Sequence, residues 1–369
     1  MQSKVPLSIK YRPKKLSDIV GQDVVVRILI NSFKEKNWHR AYILEGLFGC
    51  GKTSIARIMA AMENCVNAPT TEPCGECEPC KAIFEGKFID VKELDAASNG
   101  GVDNIRSLHD EIGFCPIHGK IKYIIIDEAH GLTGYAADAA LKMIEEPPDH
   151  ARFLLCTTEP ESFKSTIPSR CITLNFRKIK WDILYQHLIN IANQEKMDYE
   201  EGAIKVAAQF ADGSCRNALQ NLQTILSYAG TEKITTEMAR DALGAIDNTL
   251  YYQFVHNILS VNAPEVMKGA NQLLVQGSNA GKVIQGLTNY LRNLQLYLVG
   301  GEESVSGWLT DEELKKMQSH AQKAKPTLIY NFLKLIVEMR KGLEVNISAQ
   351  ALLESFSVGA MMEVVKSKK

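Results

Sequence analysis

Residues Gly46-Leu47-Phe48-Gly49-Cys50-Gly51-Lys52-Thr53 fit the pattern G-x-x-x-x-G-K-[ST] without a gap, and that spacing serves phosphate chemistry. The glycines let successive backbone N–H groups curl around phosphate oxygens. Lys52 places a cation on the β and γ oxygens, and the Thr53 hydroxyl ligates Mg2+. The helical-looking run at 54–62, opened by Ser54, points the positive end of its dipole at the same anion. A Gly-rich turn of this pattern also arises by chance, so the flanks decide. Ala41-Tyr42-Ile43-Leu44 reads as a short buried strand, which supplies the strand, loop and helix that the pattern needs. A second strand, Tyr123-Ile124-Ile125-Ile126, ends in Asp127-Glu128, where an acidic pair can hold Mg2+ and orient a water. An ATP site is the expectation.

Shortly beyond the loop come Cys65, Cys74, Cys77 and Cys80, spaced C-x8-C-x2-C-x2-C among the turn formers Pro73, Gly75 and Pro79. Four thiolates so placed can surround one ion, and tetrahedral zinc in a closed structural site is the first reading. Two rivals stand beside it. The final C-x2-C-x2-C resembles part of an iron-sulfur run, although Lys81 follows where that run carries a further Cys and Pro. A disulfide pair is disfavoured by a reducing compartment, to which the odd total of nine cysteines points. Cys50, Cys115, Cys156, Cys171 and Cys215 lie outside the cluster without framework spacing and read as small apolar residues.

These groups need a scaffold, and 369 residues with 45% hydrophobic content supply two or three domains with cores of their own. The net charge is −1, so any nucleic-acid contact must come from a local basic patch or from one face of an assembly. The polar start, Met1-Gln2-Ser3-Lys4-Val5-Pro6, gives no signal peptide, and no run is long enough to span a bilayer. A cytosolic chain without membrane contact is expected.

The chain falls into three stretches. Through residue 177, strand-like runs at 41–44, 89–94, 123–126, 153–156 and 172–175 alternate with helices, which implies a mostly parallel sheet covered by helices. Phosphate loops sit at the C-terminal ends of such strands. From 178 to 244 the pattern is helical, with Trp181, Ile183, Leu184, His187, Leu188 and Ile191 at helical spacing and a break at Gly213. From 245 to 369 helices are expected at 249–259, 264–275, 282–298, 311–322, 327–343 and 348–365. Two arginines stand in suggestive settings, Arg170 in Ser169-Arg170-Cys171 ahead of the last strand and Arg216 in Gly213-Ser214-Cys215-Arg216 at a helix start. Taken alone, each reads as a surface or packing arginine.

In combination, these features acquire a likeness. Tyr11-Arg12-Pro13, Ile19-Val20-Gly21-Gln22, the loop through Thr53, the four cysteines, Asp95-Ala96-Ala97-Ser98, Asp127-Glu128-Ala129-His130, Glu145-Glu146-Pro147-Pro148, Ser169-Arg170-Cys171 and Gly213-Ser214-Cys215-Arg216 follow one another as in the bacterial DNA polymerase III gamma/tau family. The likeness is strong over residues 7–244 and compatible beyond. It implies an AAA+ ATPase of the DNA polymerase III holoenzyme: a P-loop domain at 1–177 with a zinc module inserted at 65–80, a helical lid at 178–244 and an all-α collar at 245–369. The work implied is that of a sliding-clamp loader motor, in a pentameric hetero-oligomeric ring that opens the clamp and loads it onto primer-template DNA.

By resemblance, Arg12, Pro13, Ile19, Val20 and Gln22 form the adenine-side wall, and Gly46, Gly49, Cys50, Gly51, Lys52, Thr53 and Ser54 hold the phosphates. Glu128 polarises the attacking water, Asp127 supports Mg2+, and Thr158 senses the γ-phosphate. Arg216 is the lid sensor acting within its own subunit, and Arg170 is the finger offered to a neighbour's ATP. Lys92, Asn99, Asn104 and Arg106 lie near the DNA-facing segment, though a charged helix face is also explained by solvation alone. The sequence departs from the family at Leu16, commonly Phe; at Asn217, often Asp; and over 131–140, which is smaller and richer in Gly and Ala. It ends at Lys369, short of the tail with which longer members tether helicase and polymerase, which leaves tethering open between a short form, a truncation and a divergent lineage. Related readings are a non-hydrolysing loader stator, against which Lys52-Thr53 speak, and a helicase-loading or recombination ATPase, which would lack the cysteine insert. A zinc-dependent DNA-binding module with structural ATP is a third.

Overall fold

The computed structural model describes residues 5–35, 37–99, 101–132, 134–163, 166–244, 248–276, 280–305, 309 and 311–368. The chain divides into two compact units, Met1–Ala239 and Arg240–Lys369.

In the first unit, apolar runs and the more charged edge segment Val91-Lys92-Glu93-Leu94-Asp95 form five strands: β1 (Ala41–Glu45), β2 (Val91–Asp95), β3 (Lys122–Asp127), β4 (Ala151–Thr157) and β5 (Ile172–Asn175). All pair in parallel in the order β2-β3-β4-β1-β5. Successive side chains leave a strand on opposite faces, and in the central strands β1, β3 and β4 both faces are buried. Tyr42, Leu44, Tyr123, Ile125, Leu154 and Leu174 pack in one layer with the helix Lys52–Asn64. Ala41, Ile43, Ile124, Ile126, Phe153 and Leu155 pack in the other with the helices Val102–Ile112 and Gly134–Glu145. The register sets Glu45 beside Thr157 and Asp95 beside Asp127, so one edge of the sheet gathers the strand ends that carry chemistry.

The helix Lys52–Asn64 buries Ile55, Ile58, Met59 and Met62 completely, each contributing about 1.5–3 kcal/mol. Its end is fixed by Asn64, whose amide donates to Ala60 O and Ile121 O and accepts from Lys120 N and Ile121 N at 2.7–3.1 Å. A buried amide with these partners costs little. The second strand starts at Val91 rather than at 89. Asp90 does other work there, its carboxylate accepting the N–H groups of Ile117, His118 and Gly119 at 2.9, 2.7 and 2.7 Å, while Ile89 stays exposed.

After β5 come the helices Trp181–Gln194, Glu201–Gln209, Cys215–Ala229 and Thr236–Leu243. The break expected at Gly213 lies just before Ser214, which caps the third of these by accepting Asn217 N at 3.2 Å. In the second unit the six expected helices are present as Asn248–Leu259, Ala263–Gln276, Ala280–Gly300, Asp311–Ala321, Pro326–Glu344 and Ala349–Ser367. Their apolar stripes share one core around Phe254, Leu287, Phe332 and Phe356. Among the described residues no helix is long and apolar enough to cross a membrane.

Candidate nucleotide site and cysteine cluster

The loop Gly46–Gly51 leaves β1 at the sheet edge, tied by Gly46 N to Thr157 O at 3.1 Å, and runs into the helix that begins at Lys52. Ser54 lies in the first turn of that helix. Gly49 must be glycine twice over: its φ is +72°, and a Cβ there would stand 2.2 Å from Ser214 Oγ and 2.9 Å from Arg216 Cβ. The loop and the start of the helix Cys215–Ala229 therefore touch. Arg216 donates its backbone N–H to Gly49 O at 3.4 Å, and its guanidinium lies 6.0 Å from the Phe48 ring centre. Lys52 Nζ lies 5.7 Å from the same ring and donates to Gly46 O and Leu47 O at 2.7 and 3.1 Å. Phe48, half exposed and flanked by two cations, is a residue that the eight-position pattern leaves unspecified. Cys50 is buried, donates to Leu47 O, and has its thiol pushed up by burial.

Thr53 Oγ1 donates to Asp127 Oδ2 at 2.8 Å, which joins the phosphate loop to the end of β3. This is a pair of hard oxygen donors of the kind that suits Mg2+. Beside it Glu128, in the left-handed region at φ +46°, has Oε2 within 3.2 Å of the Thr158 hydroxyl that follows β4. His130 Nδ1 stands 3.4 Å from the same oxygen. The structure thus brings together Gly46, Gly49, Lys52, Thr53, Asp127, Glu128, Thr158 and Arg216. His130 entered the sequence reading only as the last letter of Asp127-Glu128-Ala129-His130.

The other expected residues are placed as follows. Arg12 is partly buried near Asp127, and burial, then the proximity of Arg57 and Arg216, pushes its guanidinium down from the ordinary value. Pro13, Ile19 and Val20 are partly buried on the same segment, and Ile19 packs on the core around Leu44 and Ile55. Gln22 spends its amide on the backbone of Arg177, donating to its carbonyl at 2.7 Å and accepting its N–H at 3.1 Å. Tyr11 donates its hydroxyl to Glu195 at 2.5 Å, a link across 184 positions that no local pattern signals. Arg170 is exposed on the turn Pro168–Arg170, bonded to Thr166 O at 3.0 Å and paired with Glu145 at 3.1 Å. Lys92 pairs with Glu111 at 3.1 Å, whereas the side chains of Asn99, Asn104 and Arg106 lie outside the described residues.

The four cysteines converge. Their sulfurs all lie within 4.8 Å of one another, with Cys65 to Cys74 at 3.6 Å and Cys77 to Cys65 at 3.9 Å. No disulfide joins them, and a zinc tetrahedron with Zn–S near 2.3 Å asks for sulfurs about 3.8 Å apart. The backbone N–H groups of Glu76 and Cys77 hold the Cys74 thiol down at about 6, which favours the ligating thiolate. Burial pushes Cys80 up. Cys65 closes the helix Lys52–Asn64 and Cys77 opens the helix Glu78–Phe84, so an ion held here would brace the far end of the phosphate-loop helix.

Residues 21–180 match the family described as "DNA polymerase III, delta subunit", and residues 234–356 the family described as "DNA polymerase III subunits gamma and tau domain III". The chain is 38% identical to the DNA polymerase III subunit tau of Bacillus subtilis over 78% of its own length and 51% of that protein. It is 33% identical to subunit tau/gamma of Haemophilus influenzae over 91% of its length and 48% of that protein. To subunit gamma of Buchnera aphidicola subsp. Acyrthosiphon pisum it is 30% identical over 92% of its length and 93% of that protein. It spans about half the length of the Bacillus and Haemophilus relatives.

Proposed function

Because the chain belongs to the bacterial DNA polymerase III gamma/tau family, with the AAA+ parallel sheet and all-helical C-terminal part described above, we propose that it is an ATP-hydrolysing motor subunit of a sliding-clamp loader. It acts in the cytoplasm, in a pentameric hetero-oligomeric ring with other loader subunits. The ring opens the clamp and hydrolyses ATP once primer-template DNA fills it. Within this reading residues 1–177 are the ATP-binding domain, 178–244 the lid, and 245–369 the collar. Cys65, Cys74, Cys77 and Cys80 hold a structural zinc.

One observation carries the ATPase reading: Thr53 and Asp127 meet at 2.8 Å with Glu128 and Thr158 alongside, at the edge where the phosphate loop leaves β1. Mg2+ on Thr53 and Asp127 would supply charge neutralisation on the β and γ oxygens. The remaining work falls to side chains. Lys52 leaves its two loop carbonyls for the phosphates, and the loop amides orient the same oxygens. Glu128 aligns a water and draws its proton, Thr158 reads the γ-phosphate, and Arg216 reports nucleotide to the lid through its contact with Gly49. Arg170 serves a neighbour's ATP, where a cation arriving in trans stabilises charge on the phosphoryl oxygens.

ATP turnover of the chain with its partner subunits, clamp and primed DNA tests this reading. Turnover should rise when clamp and primed DNA are added together, and Lys52→Ala should abolish it by weakening ATP binding severely. Normal nucleotide affinity in Lys52→Ala would refute the ATP site. Turnover indifferent to clamp and primed DNA would refute the loader.

A further inference from the structure

His130 sits one residue beyond Glu128 and Ala129, on the short turn Ala129–Gly131 that follows β3. Its Nδ1 lies 3.4 Å from Glu128 Oε2 and 3.2 Å from Thr157 Oγ1. A carboxylate accepts only, so an Nδ1 facing it carries the proton, which is directed to Thr157 Oγ1 with the Glu128 oxygen close beside it. Both anchors are firm. Thr157 is fully buried at the end of β4 and its hydroxyl oxygen accepts Glu159 N at 3.0 Å. The turn is closed by Gly131 N to Glu128 O at 2.8 Å, and a Cβ on Gly131 would stand 3.0 Å from the backbone of Ala96. The Glu128 and His130 side chains are 13% and 22% exposed, so the polar contact between them is little weakened by water.

Glu128 therefore has one hydrogen-bond donor, the Thr158 hydroxyl, and beside it the His130 imidazole nitrogen in close polar contact at 3.4 Å. A Thr158 engaged with a γ-phosphate has its hydroxyl proton committed there, and Glu128 would be free to rotate away from the water if nothing else held it. We propose that His130 is a positioning residue, which keeps the Glu128 carboxylate aimed while Thr158 is occupied and ties that aim to the end of β4. The inference rests on the reading of Glu128 as the group that polarises the attacking water. It assigns His130 no contact with nucleotide, so loss of the imidazole should act on turnover and not on binding.

The test compares His130→Ala, His130→Asn and His130→Gln in the assembled ring with clamp and primed DNA, with Glu128→Gln alongside. His130→Ala should lower kcat about 10–100-fold, the range for a partner that orients an active group. Its ATP affinity should stay within about twofold, the mark of an interaction made on the way to the transition state. His130→Asn, whose amide nitrogen stands where Nδ1 stood, should recover most of the loss and His130→Gln less. Two results would overturn the proposal: unchanged kcat in His130→Ala, or a parallel fall of turnover, ATP affinity and Tm in all three variants. Turnover retained by Glu128→Gln refutes the reading of Glu128 and the proposal with it. Turnover lost in Glu128→Gln but kept in His130→Ala refutes the proposal alone.

Discussion

Gly49 accepts the backbone N–H of Arg216 at 3.4 Å, so the phosphate loop and the start of the helix Cys215–Ala229 meet through main chain. The contact exists because Gly49 has no side chain, with Ser214 Oγ only 2.2 Å from where a Cβ would be. Gly49→Ala should therefore push the helix Cys215–Ala229 off the loop and also cost about 1–2 kcal/mol for a left-handed alanine. Thermal melts and nucleotide titration should show lower Tm and weaker ATP binding. Adding Ser214→Gly, which gives up the cap on Asn217 at a cost of only a few tenths of a kcal/mol, should restore part of the binding. No restoration would place the defect in the loop backbone alone.

A metal in the cysteine cluster should appear as one zinc per chain, without iron or acid-labile sulfide. Cys80→Ser should lower that content and Tm together, because Cys80 is fully buried and reaches the cluster from the helix Glu78–Phe84. Elemental analysis that finds iron and sulfide would replace zinc with a cluster. A full Tm without metal would remove the structural role.

In the second unit His320 is fully buried, stacked on Tyr252 at 4.4 Å and hydrogen-bonded through Nδ1 to Tyr290 at 2.8 Å. Burial, with His256 and Lys323 nearby, pushes its pKa down to about 3. The unfolded chain takes up a proton near the ordinary value of about 6.5, which the folded chain refuses until far lower pH. Stability is thus present above about 6.5 and is lost as pH falls toward 3, by about 2 kcal/mol at pH 5. Urea melts at pH 7 and 5 should show this loss, and His320→Gln should flatten it. An equal loss in the variant would assign the acid sensitivity to other groups.

What could be read from sequence was what is local. The phosphate loop, four of the five strands and the C-x8-C-x2-C-x2-C spacing are each decided within a few residues, and each appears close to where it was expected. The misplaced start of β2 came from Asp90, whose three partners lie 27 to 29 positions away. For the same reason Tyr11 to Glu195, Gln22 to Arg177 and Gly49 to Ser214 were out of sight: a hydrogen bond across the fold leaves no periodicity. His130 comes within 3.4 Å of the Glu128 carboxylate beside a positive φ at Glu128, which no spacing rule announces for a glutamate.

Arg170 gives the sharpest division between motor and binder. Its exposed side chain is held by Glu145 and by Thr166 O, and an ion pair this open is worth about 0.2–1 kcal/mol, so a neighbouring subunit could draw the guanidinium away. Arg170→Ala should leave Tm and ATP binding by its own subunit nearly unchanged. DNA-stimulated turnover should fall by a factor on the order of 10³ if the arginine acts as other fingers do. A packing role predicts the reverse pattern, with Tm, binding and turnover declining together. Rings mixed from Arg170→Ala and Lys52→Ala chains decide between them. Some turnover should return where an intact phosphate loop faces an intact arginine, and none returning in verified mixed rings would count against action in trans.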